Sequence, residues 1–111
     1  IAEAMGGTCE FNIVNGYPFL VNEKKLTQQA RMYAEEYLGA ENVVDLDLWM
    51  AAEDFAYYSQ VTNACFYRLG TGNQTRGITS PVHTPNFDID EKALQISTGL
   101  MAYIALRRLG N

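Results

Sequence analysis

Apolar residues recur at helical spacing after residue 22, and this is the first strong signal in the sequence. One predicted helix face collects Leu26, Ala30, Tyr33, Ala34, Tyr37 and Leu38. Asn22 is a favourable N-cap, and the negative charge of Glu23 suits the positive end of a helix dipole. Gly39 then closes the element. The pattern predicts an amphipathic helix over 23–38.

A second helix is predicted at the end of the sequence. Asp88, followed three residues later by Glu91, forms an acidic variant of a capping box. Apolar residues then follow at mostly helical spacing: Leu94, Ile96, Leu100, Met101, Ile104 and Leu109. Gly110 is a typical stop signal, because glycine readily adopts the backbone conformation that ends a helix.

Three shorter stretches have the alternating or aromatic character of β-strands: residues 9–14, 43–48 and 65–70. Residues 51–59 favour a turn and a short helix, and residues 1–7 resemble the last turn of a helix that ends at glycine. This order of elements favours an α/β fold, in which helices cover a partial layer of mixed sheet. The change of pattern at 17–22 indicates a boundary.

Composition excludes several classes of protein. The 111 residues are 48% hydrophobic with 9 Gly and 3 Pro, which predicts one compact domain rather than a disordered tail or a fibrous repeat. No apolar run approaches the ~20 residues that cross a bilayer, so no membrane partner is expected. The net charge of -5 and the lack of basic clusters argue against a nucleic-acid partner. Cys9 and Cys65 match neither a disulfide scaffold nor a zinc motif, so we expect buried or half-buried thiols in a reducing cytoplasm.

His83 is the only histidine of the chain and lies between Pro81 and Pro85. Because proline fixes φ, the two rings limit the movement of the loop and suit a side chain that is held in one place. The residues alone leave two interpretations open. One is a surface or capping histidine, and the other is a metal ligand or an acid–base group.

Two further clusters could bear on function. Glu53 and Asp54 are adjacent carboxylates, although the start of a helix explains them equally simply. Gly70, Gly72 and Asn73 follow a predicted strand, but Thr75 replaces the third glycine of a dinucleotide fingerprint. A tight turn is the simpler interpretation, while backbone N–H groups at such a turn could also meet an anionic group of a ligand.

Taken in order, three motifs and the terminal helix resemble the C-terminal part of M20-type metallopeptidases. The motifs are Met50-Ala51-Ala52-Glu53-Asp54-Phe55-Ala56, Phe66-Tyr67-Arg68-Leu69-Gly70-Thr71-Gly72 and Ser80-Pro81-Val82-His83-Thr84-Pro85-Asn86-Phe87. The most similar branch is the amidohydrolases that cleave N-acyl amino acids, hippurate and auxin conjugates. The resemblance covers nearly the whole chain, including Gly16-Tyr17-Pro18 and Asn22.

The resemblance implies a zinc-peptidase-like catalytic domain with an inserted lid domain. Residues 1–19 would be the end of the lid, or dimerisation, domain, and residues 20–111 would be the C-terminal part of the catalytic domain. The resemblance also implies two divalent metal ions (Zn, Mn, Co or Ni) in each full-length active site, with His83 as one metal ligand. The residues that would line the substrate side of the cleft are Glu53, Asp54, Gly70, Gly72 and Asn73.

The same resemblance implies that the parent protein is a metal-dependent amidohydrolase of N-acyl amino acids or peptide-like substrates, and a homo-oligomer. Its other metal ligands and its general-base glutamate would precede the region seen here, so no catalytic residue is assigned in this chain. We therefore expect an inactive C-terminal fragment that exposes apolar surface and self-associates. A different class stays open, namely a metal-free binding or self-association module with a structural His83 and an aromatic contact surface at Tyr33, Tyr37, Tyr57 and Tyr58.

Overall fold

Three α-helices provide the regular structure of residues 1–110, which are the residues that the computed structural model of this chain describes. They are α1 (Lys24–Leu38), α2 (Phe55–Val61) and α3 (Lys92–Leu109). Single-turn 3-10 helices lie at Glu3–Met5, Ala40–Asn42 and Gln74–Arg76. Residue 111, the last of the range 20–111, lies outside the described part. The first 3-10 turn ends at Gly6 in the left-handed conformation, with φ of 76°, which confirms the predicted helical turn before glycine.

Helix α1 begins within one residue of its predicted start, because Glu23 caps it. The Glu23 carboxylate accepts hydrogen bonds from the backbone N–H groups of Lys25, at 3.1 Å, and Leu26, at 2.7 Å. These donors lack partners within the helix, so the cap stabilises its first turn. Gly39 ends the helix with φ of 89°. Asn22 was the predicted cap, but its side chain instead binds the backbone of Phe66.

The contact between α1 and α3 buries large apolar side chains from both helices. Tyr33 of α1 and Leu100 of α3 are each only 2% exposed. The rings of Tyr37 and Tyr103 pack with their centroids 5.4 Å apart. The Tyr103 hydroxyl donates to the carboxylate of Glu36 at 3.0 Å, which adds a polar contact at the edge of the two helices.

Helix α3 begins later than the predicted capping box, so that box is wrong. The Asp88 carboxylate accepts from the backbone N–H of the next residue, Ile89, at 2.8 Å. Glu91 precedes the helix and makes no side-chain capping bond. Asp90 takes the role instead, because its carboxylate accepts from the backbone N–H of Lys92 at 3.2 Å.

The predicted α/β layer is wrong for residues 1–110, in which no strand or sheet forms. The three stretches 9–14, 43–48 and 65–70 are irregular, and the only β-type pairing is an isolated bridge between Asn73 and Ile78. A strand requires a neighbouring backbone to complete its ladder of hydrogen bonds. The alternating and aromatic residues of these stretches favour strands, but no described segment lies beside them to form a sheet.

The chain is more open than a compact domain of its length. Its radius of gyration is 19.9 Å, against about 13 Å for a compact chain of this size. Its accessible surface is 9593 Å², against about 6,100 Å² for a compact protein of 12.4 kDa. The prediction of one compact domain is therefore wrong for the described residues, and the predicted exposure of apolar surface is confirmed.

Both cysteines are unpaired. Cys65 is half-buried, as predicted, whereas Cys9 is exposed, so the prediction is wrong for Cys9. None of the helices within residues 1–110 combines the length and the apolar character that spanning a bilayer requires.

Candidate functional site

His83 lies on a loop of residues 79–89, here called the His83 loop. Its backbone φ of 64° makes it the one non-glycine residue within 1–110 in the left-handed region. The imidazole is exposed. Two hydrogen bonds shape the loop, since the Thr84 hydroxyl donates to the Pro81 carbonyl at 2.8 Å and the Phe87 N–H donates to the Thr84 carbonyl at 3.1 Å. Such backbone strain is characteristic of functional sites, where the surrounding structure enforces it.

The two ends of the His83 loop are fastened to the same short segment. Before the loop, Ile78 and Asn73 exchange two backbone hydrogen bonds of 2.9 Å. After it, the Asp90 N–H donates to the Thr71 carbonyl at 2.8 Å. The loop therefore leaves from and returns to residues 71–73, which places the Gly70–Asn73 segment at its base.

Asp90 is the buried charged residue at this base, with only 9% of its surface exposed. Its carboxylate accepts hydrogen bonds from the side-chain amide of Asn73, from the Arg76 guanidinium at 3.0 Å and from the Lys92 N–H. The hydrogen bond from Asn73, followed by that from Lys92, holds the pKa of Asp90 below its usual value, and the Arg76 charge adds to the effect. Asp90 is thus an ionised group whose burial is compensated by three donors.

The predicted tight turn forms just after Gly70 and Gly72. Asn73 and Ile78 pair across the 3-10 turn Gln74–Arg76, while residues 70–72 are irregular. Asn73 caps the following 3-10 helix, because its side-chain oxygen accepts from the Arg76 N–H at 3.2 Å and the Thr75 hydroxyl at 2.7 Å. A Cβ on Gly72 would lie 3.2 Å from the backbone oxygen of Ile78, so the turn approaches the start of the His83 loop closely. A Cβ on Gly70 would meet nothing within 4 Å.

Glu53 and Asp54 lie at the start of α2. Glu53 is half-buried, and its carboxylate accepts from the Phe55 N–H at 3.1 Å, as expected of a helix start. Asp54 is exposed. Its hydrogen bond with the Tyr17 hydroxyl, followed by its negative charge, raises the pKa of Tyr17. Among residues 1–110, no hydrogen bond or ion pair joins these carboxylates to the His83 loop.

A metal centre requires several ligand side chains close together. Within the described range, no three His, Cys, Asp or Glu side chains gather closely enough to hold a metal ion. The exposed imidazole of His83, on a loop fixed at both ends, does fit the role of a single ligand, because a neutral imidazole is a common donor to divalent metals. This chain therefore offers one donor of the kind that a complete metal site requires.

Comparison with known proteins decides the family. Residues 4–107 match the sequence profile of Peptidase family M20/M25/M40. This chain belongs to that family. The resemblance to M20-type metallopeptidases that the three motifs indicated is thereby confirmed.

Relatives of the M20 chain include proteins named as an IAA-amino acid hydrolase, an amidohydrolase and a carboxypeptidase. IAA-amino acid hydrolase ILR1-like 4 of Arabidopsis thaliana is 33% identical over 84% of this chain and 21% of its own length. Putative amidohydrolase YhaA of Bacillus subtilis is 31% identical over 96% of this chain and 27% of its own length. Thermostable carboxypeptidase 2 of Saccharolobus solfataricus is 28% identical over 92% of this chain and 25% of its own length.

The M20 chain thus spans 21% to 27% of the length of these three relatives. No solved structure matches it significantly.

The sequence does not indicate Asp90 as a site residue. Its partners Asn73 and Arg76 lie 17 and 14 residues away, so no local spacing indicates the contact. The burial of this carboxylate follows from the contacts that close the loop, which only the tertiary structure shows.

Proposed function

We propose that this chain supplies part of the active site of a metal-dependent amidohydrolase that cleaves the amide bond of N-acyl amino acids or small peptide conjugates. The observation that carries the proposal is the presentation of His83, an exposed imidazole on a strained backbone within a loop that is fastened at both ends. Family membership and the names of two relatives, an IAA-amino acid hydrolase and an amidohydrolase, support the reaction class.

In this proposal His83 is one ligand of a site for two divalent ions, such as Zn, Mn, Co or Ni, in the full-length protein. The bound ions would lower the pKa of a water molecule and polarise the scissile carbonyl. The segment with Gly70, Gly72 and Asn73 would border the substrate, because it lies at the base of the His83 loop. Glu53 and Asp54 would contribute on the substrate side of the cleft from the start of α2.

We propose that residues 1–19 end a lid domain and that residues 20–111 belong to the catalytic domain. The segment 17–22 that would join them is attached to the rest of the chain. The side-chain amide of Gln60 donates to the Phe19 carbonyl at 3.0 Å. The rings of Tyr17 and Tyr57 meet edge to face with centroids 5.7 Å apart. These contacts support a fixed connection between the segment 17–22 and the catalytic side.

We also propose that the parent protein is a homo-oligomer.

The chain alone would be inactive. Residues 1–110 contain one histidine and no cluster of three ligand side chains, and no carboxylate among them is assigned as a general base. Two metals require several ligands, and hydrolysis requires a group that takes the proton of the attacking water. We also propose a reducing, cytoplasmic location, which the two unpaired thiols support.

The test is His83→Ala in the full-length protein. We expect loss of bound metal, measured by elemental analysis, and a large fall in the rate of hydrolysis of hippurate. Asn86→Ala is the matched control, because Asn86 is exposed on the same loop and makes no side-chain hydrogen bond within residues 1–110. Unchanged metal content and rate in the His83 variant would show that this residue is not a ligand.

A second candidate function is a metal-free binding or self-association module. It is favoured by Tyr57 and Tyr58, which are 56% and 62% exposed on α2. Tyr33 and Tyr37 contribute less, since Tyr33 is buried and the ring of Tyr37 packs against that of Tyr103. The same His83 variant separates the two functions, because the module requires neither metal nor hydrolysis.

A further inference from the structure

The His83 loop depends on its two ends for its shape. Within the loop, the hydrogen bonds are confined to short-range contacts such as those of Thr84 with Pro81 and Phe87. A histidine with φ of 64° persists only where the surroundings enforce that backbone, since the left-handed region is unfavourable for residues with a Cβ. The contacts that join the two ends of the loop lie at Asn73 and Asp90.

Two side-chain contacts link the two ends, namely the Asn73–Asp90 hydrogen bond and the Arg76–Asp90 salt bridge. Asn73 precedes the loop and pairs with Ile78, while Asp90 follows the loop and its backbone binds Thr71. The Asn73 amide donates to one oxygen of the Asp90 carboxylate, and the other oxygen accepts from Arg76 and Lys92. Because Asp90 is buried, loss of a donor would leave a poorly compensated charge.

We propose that Asp90 and Asn73 are positioning residues, whose mutual hydrogen bond holds the His83 loop closed and so presents the imidazole of His83 to a divalent metal. The inference rests on the proposed role of His83 as a ligand and deepens it. Neither residue needs to touch the metal. Groups that orient a ligand control metal affinity strongly, and their removal typically costs roughly 10- to 100-fold.

The chemistry of the pair allows a reciprocal exchange. With Asn73→Asp alone, two carboxylates face each other and the donor to Asp90 is lost. With Asn73→Asp combined with Asp90→Asn, the new amide at position 90 donates to the new carboxylate at position 73. That carboxylate still accepts from Arg76 and Thr75, and the amide oxygen at position 90 still accepts from Arg76 and Lys92. The exchange therefore restores every hydrogen-bond partner of the cluster, while the Arg76 guanidinium meets a neutral amide oxygen in place of a carboxylate.

The experiment compares Asn73→Asp, Asp90→Asn and the double exchange in the full-length protein. Hydrogen exchange measured by mass spectrometry reports on residues 79–89, with α1 as the internal reference for an intact fold. Titration of the metal-stripped protein with Zn²⁺ reports on affinity. Asp88→Asn is the matched control, because it removes the same charge from an exposed carboxylate whose hydrogen bond is to the adjacent Ile89.

We expect faster exchange in residues 79–89 and roughly 10- to 100-fold weaker Zn²⁺ binding in Asn73→Asp. The hydrogen-exchange rate and the Zn²⁺ affinity should both return to wild-type values in the double variant. Asp88→Asn should leave both unchanged. A wild-type rate of hydrogen exchange in Asn73→Asp would overturn the inference. A double variant in which neither property recovers would also overturn it. So would unchanged Zn²⁺ affinity in Asn73→Asp when His83→Ala weakens binding. If His83→Ala binds Zn²⁺ normally, the proposed ligand role is wrong, while the exchange rates still decide whether the pair closes the loop.

Discussion

The side chain of Asn22 binds both backbone groups of Phe66, a residue 44 positions away. Its amide nitrogen donates to the Phe66 carbonyl at 2.8 Å, and its oxygen accepts from the Phe66 N–H at 2.7 Å. The next residue, Glu23, continues the contact through its N–H, which donates to the Ala64 carbonyl at 2.8 Å. One polar side chain thus satisfies both the N–H and the C=O of Phe66. It attaches the start of α1 to the segment before residue 67.

Replacing Asn22 with alanine should therefore destabilise the protein. Two hydrogen bonds are lost, and we expect the free energy of unfolding in urea to fall by about 1–2 kcal/mol. Asn63→Ala is the matched control, because Asn63 is exposed and makes no side-chain hydrogen bond within residues 1–110. Equal stability of the two variants would contradict the assigned role of Asn22.

Gly99 and Tyr37 should show coupled effects on stability. A Cβ on Gly99 would lie 2.0 Å from the Tyr37 hydroxyl, so Gly99→Ala must displace the Tyr37 ring from its contact with Tyr103. In a Tyr37→Ala background the conflict is gone, and the better helix propensity of alanine should stabilise α3 by about 1 kcal/mol. A double-mutant cycle on the unfolding free energy should give a coupling of about 1 kcal/mol or more. Additive effects would show that the helices do not approach as closely at this point.

The contribution of Asp90 to stability should be lost in acid. Its pKa is lowered in the folded protein, chiefly by the hydrogen bond from Asn73, so its ionised form stabilises the fold above the usual pKa of 3.8. That stabilisation disappears as the pH falls through the lowered pKa. Thermal unfolding of wild type and Asp90→Asn, from about pH 7 to about pH 2, should give a midpoint difference that closes at the acidic end. A midpoint difference that persists at the acidic end would show that it does not arise from the ionised carboxylate of Asp90.

The 111-residue chain on its own should self-associate. Its surface is about half as large again as that of a compact protein of its mass. Leu48 and Met50 are about 90% exposed within an irregular apolar stretch, and such surfaces promote association. Size-exclusion chromatography should show an elution volume that falls with rising concentration. Leu48→Gln combined with Met50→Gln should weaken the effect, while Lys24→Gln, an exposed change on α1, should not. A concentration-independent monomer would contradict this expectation.

The candidate site was predictable only as separate motifs. The sequence indicates His83, the Glu53–Asp54 pair and the Gly70–Asn73 turn, each with a simpler structural interpretation. The structure places the Gly70–Asn73 segment at the base of the His83 loop and the Glu53–Asp54 pair at the start of α2. The closing contact between Asn73 and Asp90 spans 17 residues, so no periodicity reveals it.

The sequence by itself determined α1, α3 and their glycine ends, because helix hydrogen bonds join residues four apart and a terminal glycine acts within one turn. The tertiary structure alone decided the fate of residues 9–14, 43–48 and 65–70, since a strand exists only where a second backbone lies beside it. It also decided which acid closes the His83 loop, because a buried carboxylate is stable only where distant donors converge on it.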